Sequence, residues 1–376
     1  MDQPETIPAS PGRLHRIKLY YEENERKVAI VSFVGGFLFD ILTTGRIDSW
    51  LLIGQQALYL VVITAALLQM LFEEGMPRPA LGNISVVKRW YYEFRTAIVH
   101  FLLGSLISLH TIFFFKSSSL LVSFFVLAIL SFLLVVNEFN RFKALGLAFK
   151  FALLSLCVLS FSASIVPVFV GSIGVIVFLL SMLLGCLPLA LIYRRILIHA
   201  PDRELQARKQ IVVPFGLVLV GFLALYLFRL IPPVPLSIPY IGVYHAVERA
   251  GDVYRLSHER SPWRFWHHGD QKFLAQPGDK VYVYFRIFSP TRFSDQVTMR
   301  WYWKDNLRGW ALHDSIPINI VGGREQGFRG YGVKSNYQPG DWKVQVETTD
   351  GREIGRVYFS LASAPEAPRS LDFDIE

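Results

Sequence analysis

Tyr282, Tyr284 and Arg286 alternate with apolar residues, and so do Arg300 and Tyr302 a few residues later. Joined by a hairpin across residues 289–295, these positions would set three tyrosines and two arginines on one sheet face. Aromatic rings stack on sugars through their apolar faces, and guanidinium forks pair with carboxylate or phosphate. The chemistry implied is recognition of an anionic glycan or another envelope component. The same pattern also describes a second buried face, with arginines snorkelling over packed rings. Arg324, Arg329 and Lys334 form a second basic group, suited to a lipid headgroup, an acidic partner or a solvated strand face.

His245, His258, His267 and His268 lie close to Asp270 in sequence, and histidine and carboxylate are zinc ligands. Their spacing matches no zinc motif. His267 and His268 are adjacent, so a strand would point them to opposite faces. No metal and no cofactor is expected. Five further ionisable residues fall in apolar runs: Asp40, His100 and His110, and Lys150 and Arg229 near span ends, where they can snorkel. A carboxylate in a membrane is costly and seeks water or a partner. The two histidines, ten positions apart, sit about 80° apart around a helix, poorly placed as a ligand pair or proton relay. HExxH, GxSxG, GxxxxGK[ST] and GxGxxG are all absent from the sequence, which lowers the odds of an enzyme.

The elements that must position these groups follow from composition. Of 376 residues, 52% are hydrophobic and only 18% charged, with 30 Phe, two Cys and a mean hydropathy of +0.36. A soluble chain carries about 25% charge, so this is a membrane-protein composition, with the bilayer as first partner. Cys157 and Cys186 both lie in apolar runs, so no disulfide framework is available. Of the net charge of +8, residues 1–231 contribute +7. That excess reads as a topology signal and not as a nucleic-acid footprint.

Seven apolar runs are long enough to span: Val28–Thr44, Trp50–Phe72, Ala97–Phe115, Leu120–Val136, Leu145–Val166, Ser172–Tyr193 and Ile211–Ile231. Residues 1–27 are a polar lead-in. The N-terminal segment and the second, fourth and sixth loops hold sixteen Lys and Arg, against two in the alternate loops. The positive-inside rule then places the N-terminus in the cytoplasm of a bacterial inner membrane, and residues 232–376 outside, in the periplasm. Four prolines in residues 232–239 read as an extended spacer holding the next domain off the bilayer.

From residue 240 to 361 the hydrophobic period becomes two. Val281–Phe288, Met299–Lys304, Ile316–Val321, Phe328–Lys334, Trp342–Glu347 and Val357–Leu361 read as strands, separated by turns such as Pro277-Gly278-Asp279 and Asp350-Gly351. Six to eight strands without a helix predict an antiparallel, immunoglobulin-like β-sandwich. Residues 362–376, an acidic tail, read as disordered.

Within this region Met299-Arg300-Trp301-Tyr302-Trp303-Lys304 resembles the motif of a bacterial domain of unknown function, number 2914. So do Gly327-Phe328-Arg329-Gly330-Tyr331-Gly332-Val333-Lys334 and Pro339-Gly340-Asp341-Trp342-Lys343-Val344, and the resemblance covers residues 278–361. It implies a small extracytoplasmic β domain, often accompanied by membrane spans, and no established activity. Three function classes follow: a non-enzymatic membrane protein presenting a β-sandwich to an envelope glycan or a membrane or periplasmic protein, a transporter or its accessory, and a membrane enzyme acting on a lipid-linked substrate.

Overall fold

Apolar segments with no water to bond must close their backbone hydrogen bonds internally, and a helix does so within one segment. In a computed structural model, residues 45–74, 86–117, 128–129, 132 and 146–376 are described, the last stretch without 262, 265, 292, 306 and 323–326. Five helices of the described residues are long and apolar enough to cross a membrane. They are α1 (Trp50–Glu73), α2 (Val86–Lys116), α3 (Leu147–Val170), α4 (Val175–His199) and α5 (Pro201–Leu227). The expectation was seven. The first expected run, Val28–Thr44, and all but three positions of the fourth, Leu120–Val136, lie outside the described residues, as does the lead-in 1–27.

The five helices correspond to the second, third, fifth, sixth and seventh runs, and α2 and α4 extend beyond them at their polar ends. α5 begins as a 3-10 turn and passes through a π turn at Arg208–Val212 just before Pro214, which has no N–H to offer a regular ladder. α3 is the central helix and packs on the other four. Its Phe151, Leu154, Cys157 and Leu159 are fully covered. α4 instead leaves Val175, Leu179, Leu183, Leu187 and Leu191 exposed, an apolar stripe at helical spacing that none of the described residues covers.

α1 and α4 run one way, and α2, α3 and α5 run the other. At one end, Arg95 pairs with Glu73, Tyr92 donates to the same carboxylate at 3.0 Å, and Gln206 and Gln210 donate to Glu74 at 2.5 and 2.7 Å. Leu147 joins the cluster near this end, with Leu71, Ile196 and Ile211. At the other end, Ile47, Phe113 and Phe114 pack with Val234 and Phe288. The chain thus leaves α2 at the second end and enters α3 at the first.

The proline segment is not a spacer. Residues 231–236 are buried, Leu236 enters the core of the β domain, and the first strand starts at Ser237. Proline cannot donate to a ladder, but its ring packs well, and here it wedges the domain onto the helices. Ser294 N–H donates to Gly171 O at 2.9 Å and Ile173 N–H to Asp295 Oδ2 at 2.8 Å across this junction.

Among the described residues the β domain has eleven strands in three sheets. β1 (Ser237–Tyr244), β5 (Val281–Phe288) and β8 (Phe328–Lys334) form one, in the order β1-β5-β8. β4 (Lys272–Ala275), β6 (Ser294–Asp305), β7 (Gly309–Val321), β9 (Gly340–Thr348) and β10 (Glu353–Ser363) form the second, in the order β4-β10-β9-β6-β7. Their inner faces share one core: Val281, Val283, Phe285 and Ile287 against Met299, Trp301, Trp342, Val344 and Phe359. The period-two reading assigned these residues to the inside, apart from Trp303, which is only partly buried.

The third sheet, β2 (Ala246–Ala250), β3 (Val253–His258) and β11 (Asp372–Ile375), was not foreseen. It covers the outer face of β5. Its last strand lies in the acidic tail, which is therefore ordered. Asp374 accepts from Arg260 at 2.9 Å and from the hydroxyls of Tyr240 and Tyr244 at 3.2 and 3.3 Å, and its Oδ1 lies 3.2 Å from His258 Nε2. Asp374 looked solvated because its partners lie more than a hundred residues away. Replacing Asp374 with alanine strands a guanidinium and two hydroxyls, and is expected to cost about 2–3 kcal/mol. Chemical denaturation of the full chain would read this as a lowered midpoint; an unchanged midpoint would mean that the strand contributes nothing.

Candidate functional site

Strand pairing decides which of the expected site residues meet. β5 pairs with β1 and β8, whereas β6 pairs with β7 and β9. No hairpin joins β5 to β6. The connection crosses between the sheets, and Phe293 turns into the core, 1% exposed. Tyr282, Tyr284 and Arg286 are therefore on one sheet, and Arg300 and Tyr302 on the other.

The first group is covered. Tyr284 is fully buried in a cluster with Tyr240, Tyr244 and Leu256 beneath the third sheet. Tyr282 packs at its margin, 6.2 Å from the Tyr331 ring. Arg286 pairs with the Glu376 carboxylate at 2.8 Å, and Arg329 donates to the Glu376 main-chain oxygen at 3.2 Å. Of the second basic group, Arg324 lies outside the described residues. Lys334 and Arg329 do not meet. Lys334, 3% exposed, pairs with Asp314 and sits 2.9 Å from His313 Nδ1 and 5.4 Å from the Trp342 ring. Both cations of this group that are described serve the fold.

The second sheet keeps an open outer face. Register aligns Tyr302 of β6 with Lys343 of β9, and Lys343 with Tyr358 of β10; Lys304 opposes Trp310 of β7. Lys343 Nζ lies 4.3 Å from the Tyr302 ring centre and 5.3 Å from that of Trp310, and Trp310 and Tyr358 are 5.8 Å apart. Burial, followed by the nearby Arg356 charge, lowers the Lys343 ammonium below its ordinary value. Arg300 lies beside Glu347 at 3.3 Å, and Arg356 pairs with Glu353 and donates to the Tyr358 hydroxyl at 2.8 Å. Trp310 and Tyr358 are exposed. The result is a platform of three rings around one lysine, edged by two arginines whose charges are partly met by Glu347 and Glu353. Arg300 and Tyr302 are the only expected site residues on it among those described. Trp310, Lys343, Arg356 and Tyr358 were missed as a group. The outward positions of Lys343 and Tyr358 in the alternation were a signal, but only register reveals that the four are neighbours.

The histidines are brought together, though not as a metal centre: no group of three or more His, Cys, Asp or Glu among the described residues could hold a metal ion. His245 Nδ1 faces Arg369 Nη1 at 2.9 Å, and its Nε2 is 3.6 Å from Asp270 Oδ2. Both Asp270 oxygens accept the Glu259 N–H, at 2.9 and 3.2 Å. Gly269, at φ 62°, lets this loop lie so close to β1 that a Cβ would run into the Val243 carbonyl. Burial pushes the Asp270 carboxyl up to about 7 and the His245 imidazole down to about 4. In the helices, His100 and His110 are buried on α2, and His110 Nδ1 lies 2.7 Å from Leu106 O. Asp40 lies outside the described residues.

Apolar helices of membrane-crossing length, joined to a β-sandwich with one open aromatic face, define the class of protein. Residues 294–361, β6 through most of β10, match the family described as Protein of unknown function (DUF2914). The match begins after β5, so it is shorter at its start than the resemblance over 278–361. No curated protein matches the chain. Among solved structures, an immunoglobulin-like protein from Pseudomonas aeruginosa is 12% identical, with a TM-score of 0.21, over 34% of this chain and 98% of that one. A beta-glucosidase from Listeria innocua in complex with glucose is 11% identical, with a TM-score of 0.19, over 24% of this chain and 15% of its own. The chain thus spans less than a sixth of the glucosidase.

Asp270 and His245 act in opposite directions with pH. A carboxyl that keeps its proton to about 7 in the fold, against an ordinary 3.8, favours the fold at low pH and loses that advantage as pH rises from 4 to 7. An imidazole lowered from 6.5 to about 4 adds stability as pH rises over that interval. Asp270→Asn should therefore match the parent near pH 4 and exceed it above pH 7, by up to about 4 kcal/mol. Melting of both proteins at the two pH values checks this, and equal melting at high pH would refute a raised Asp270.

Proposed function

We propose that the chain is a multi-pass protein of the bacterial inner membrane, N-terminus in the cytoplasm, presenting its β domain in the periplasm. There the Tyr302–Trp310–Tyr358 face binds an anionic envelope polymer, without catalysing a reaction. The observation that carries this reading is the open platform itself. The Tyr302 and Trp310 rings flank one lysine and Tyr358 packs on Trp310, with Arg300 and Arg356 beside them, while the other tyrosine-rich face is covered by the third sheet. Rings offer apolar planes to sugars, and the cations offer donors to carboxylate or phosphate.

The topology is supported by where charge falls. Arg95, Arg203 and the residues that bond them gather at the bundle end remote from the β domain, and Arg46 and Lys116 lie at the domain end. On this reading the chain returns between α2 and α3 through the fourth expected span, and the first span brings the N-terminus inside, making seven.

A second reading, a transporter or its accessory, is favoured by polar residues buried in the bundle: Gln56, His100, His110 and Lys150. Thr111 and Ser155, also buried, bond carbonyls one turn back on their own helices, as polar groups do when they only need satisfying.

Reporter fusions after Ala200 and after Ala364 should report cytoplasm and periplasm respectively; the reverse would sink the topology. Purified full-length protein should be retained by peptidoglycan sacculi in a salt-sensitive manner. Tyr302→Ala with Trp310→Ala should weaken retention roughly tenfold or more, about 1.4 kcal/mol per factor of ten. Arg286→Ala, beneath the third sheet, should leave it unchanged. Retention lost with Arg286 and kept without the rings would overturn the assignment of the face.

A further inference from the structure

A second recess lies where the helices meet the β domain, apart from the aromatic platform. It is a cavity of about 430 Å³ between α4, α5 and the β9–β10 turn. Its walls are Val175 and Leu179 from α4 and Leu223 and Leu227 from α5, all exposed to whatever surrounds the helices. These residues occupy the domain-facing ends of both helices. Its rim is polar: Arg229, Asp350 and Arg352.

The two arginines have different duties. Arg352 is committed to the junction. Its Nε is 2.9 Å from Asp350 Oδ2 and its guanidinium lies 5.0 Å from the Tyr226 ring, while the Tyr226 hydroxyl donates to Asp350 at 2.6 Å. Arg229 is exposed and forms no ion pair or side-chain hydrogen bond among the described residues. It also stands where glycine normally would. At φ 58° it is in the left-handed region, closing α5 with Arg229 N–H to Tyr226 O at 2.9 Å and Leu230 N–H to Leu225 O at 2.8 Å. A side chain is disfavoured there, and this chain places a long cation in the position. The guanidinium rests against Gly351, where a Cβ would come within 2.9 Å of Nη1.

We propose that this groove binds an anionic phospholipid of the outer leaflet, an acyl chain between α4 and α5 and the phosphate on Arg229. The apolar walls match hydrocarbon. The open guanidinium matches a phosphate, which it engages with paired N–H donors. Arg352 adds positive field from behind while staying bound to Asp350. The proposal rests on the membrane reading above and is independent of the aromatic face.

The test uses full-length protein in detergent and native mass spectrometry, with dioleoyl phosphatidylglycerol, dioleoyl phosphatidylcholine and inorganic phosphate as probes. Wild type should retain phosphatidylglycerol at least tenfold over phosphatidylcholine. Arg229→Gly should reduce that preference to threefold or less while melting no lower than wild type, because glycine suits the left-handed position. Leu223→Trp, which fills the groove, should reduce retention of both lipids. Equal retention of the two lipids by wild type, or an unchanged preference in Arg229→Gly, would overturn the proposal. So would displacement of the lipid by inorganic phosphate, which would indicate a free-anion site. A chain released from membranes by alkaline carbonate would fail at the membrane reading; one that resists release yet shows no headgroup preference would fail here alone.

Discussion

A backbone removed from water has to find partners for every N–H and C=O, and this chain meets that demand in two incompatible ways. In the apolar half each segment satisfies itself as a helix, so its side chains are free to be apolar all round. In the C-terminal half each strand depends on neighbours, so its side chains divide between a buried and an outer face. The two halves meet at a junction where neither solution is complete. The helix ends leave carbonyls and amides that need partners, and the β domain supplies them: Ser294 to Gly171, Asp295 to Ile173. The buried prolines between the halves carry no N–H to satisfy, which is why that sequence can be packed there at all.

The same accounting separates structural cations from available ones. A buried charge is retained only when paired. Arg260, Arg286, Arg329 and Lys334 each face a carboxylate or main-chain oxygen, and together they hold β11 and the edge of the sandwich in place. The tail carboxylates Asp374 and Glu376 are the matching half of that arrangement. Once these are assigned to the fold, the groups facing outward stand out: the rings and lysine on the large sheet, and Arg229 at the junction. Of the Tyr- and Arg-rich group that the sequence pointed to, the platform keeps only Arg300 and Tyr302, and the junction none.

Some of the reading needed no tertiary information. The alternation through Val281–Ile287 and Trp342–Val346 names the core because a pleated strand sends successive residues to opposite sides. The apolar runs name α1 to α5 to within a few residues at most ends, α2 starting eleven residues earlier and α5 ten, because only a helix closes such a segment internally. β1 was hidden by Pro235 and Pro239, which read as a spacer. β2 and β3 were hidden because the remaining strand of their sheet, β11, lies more than a hundred residues further on, and β4 because its partner is the distant β10.

What the sequence determined by itself, then, is each segment's local type and which of its sides is apolar, since both depend on residues within a turn or two of one another. What only the tertiary structure decided is which outward side chains meet. Tyr282 and Tyr302 look equivalent along the chain. One is packed at the margin of a covering sheet and the other joins Trp310, Lys343 and Tyr358, because register and sheet order are set by pairings across tens of residues. A binding face is a property of those pairings, and a strand read alone carries no record of its neighbour.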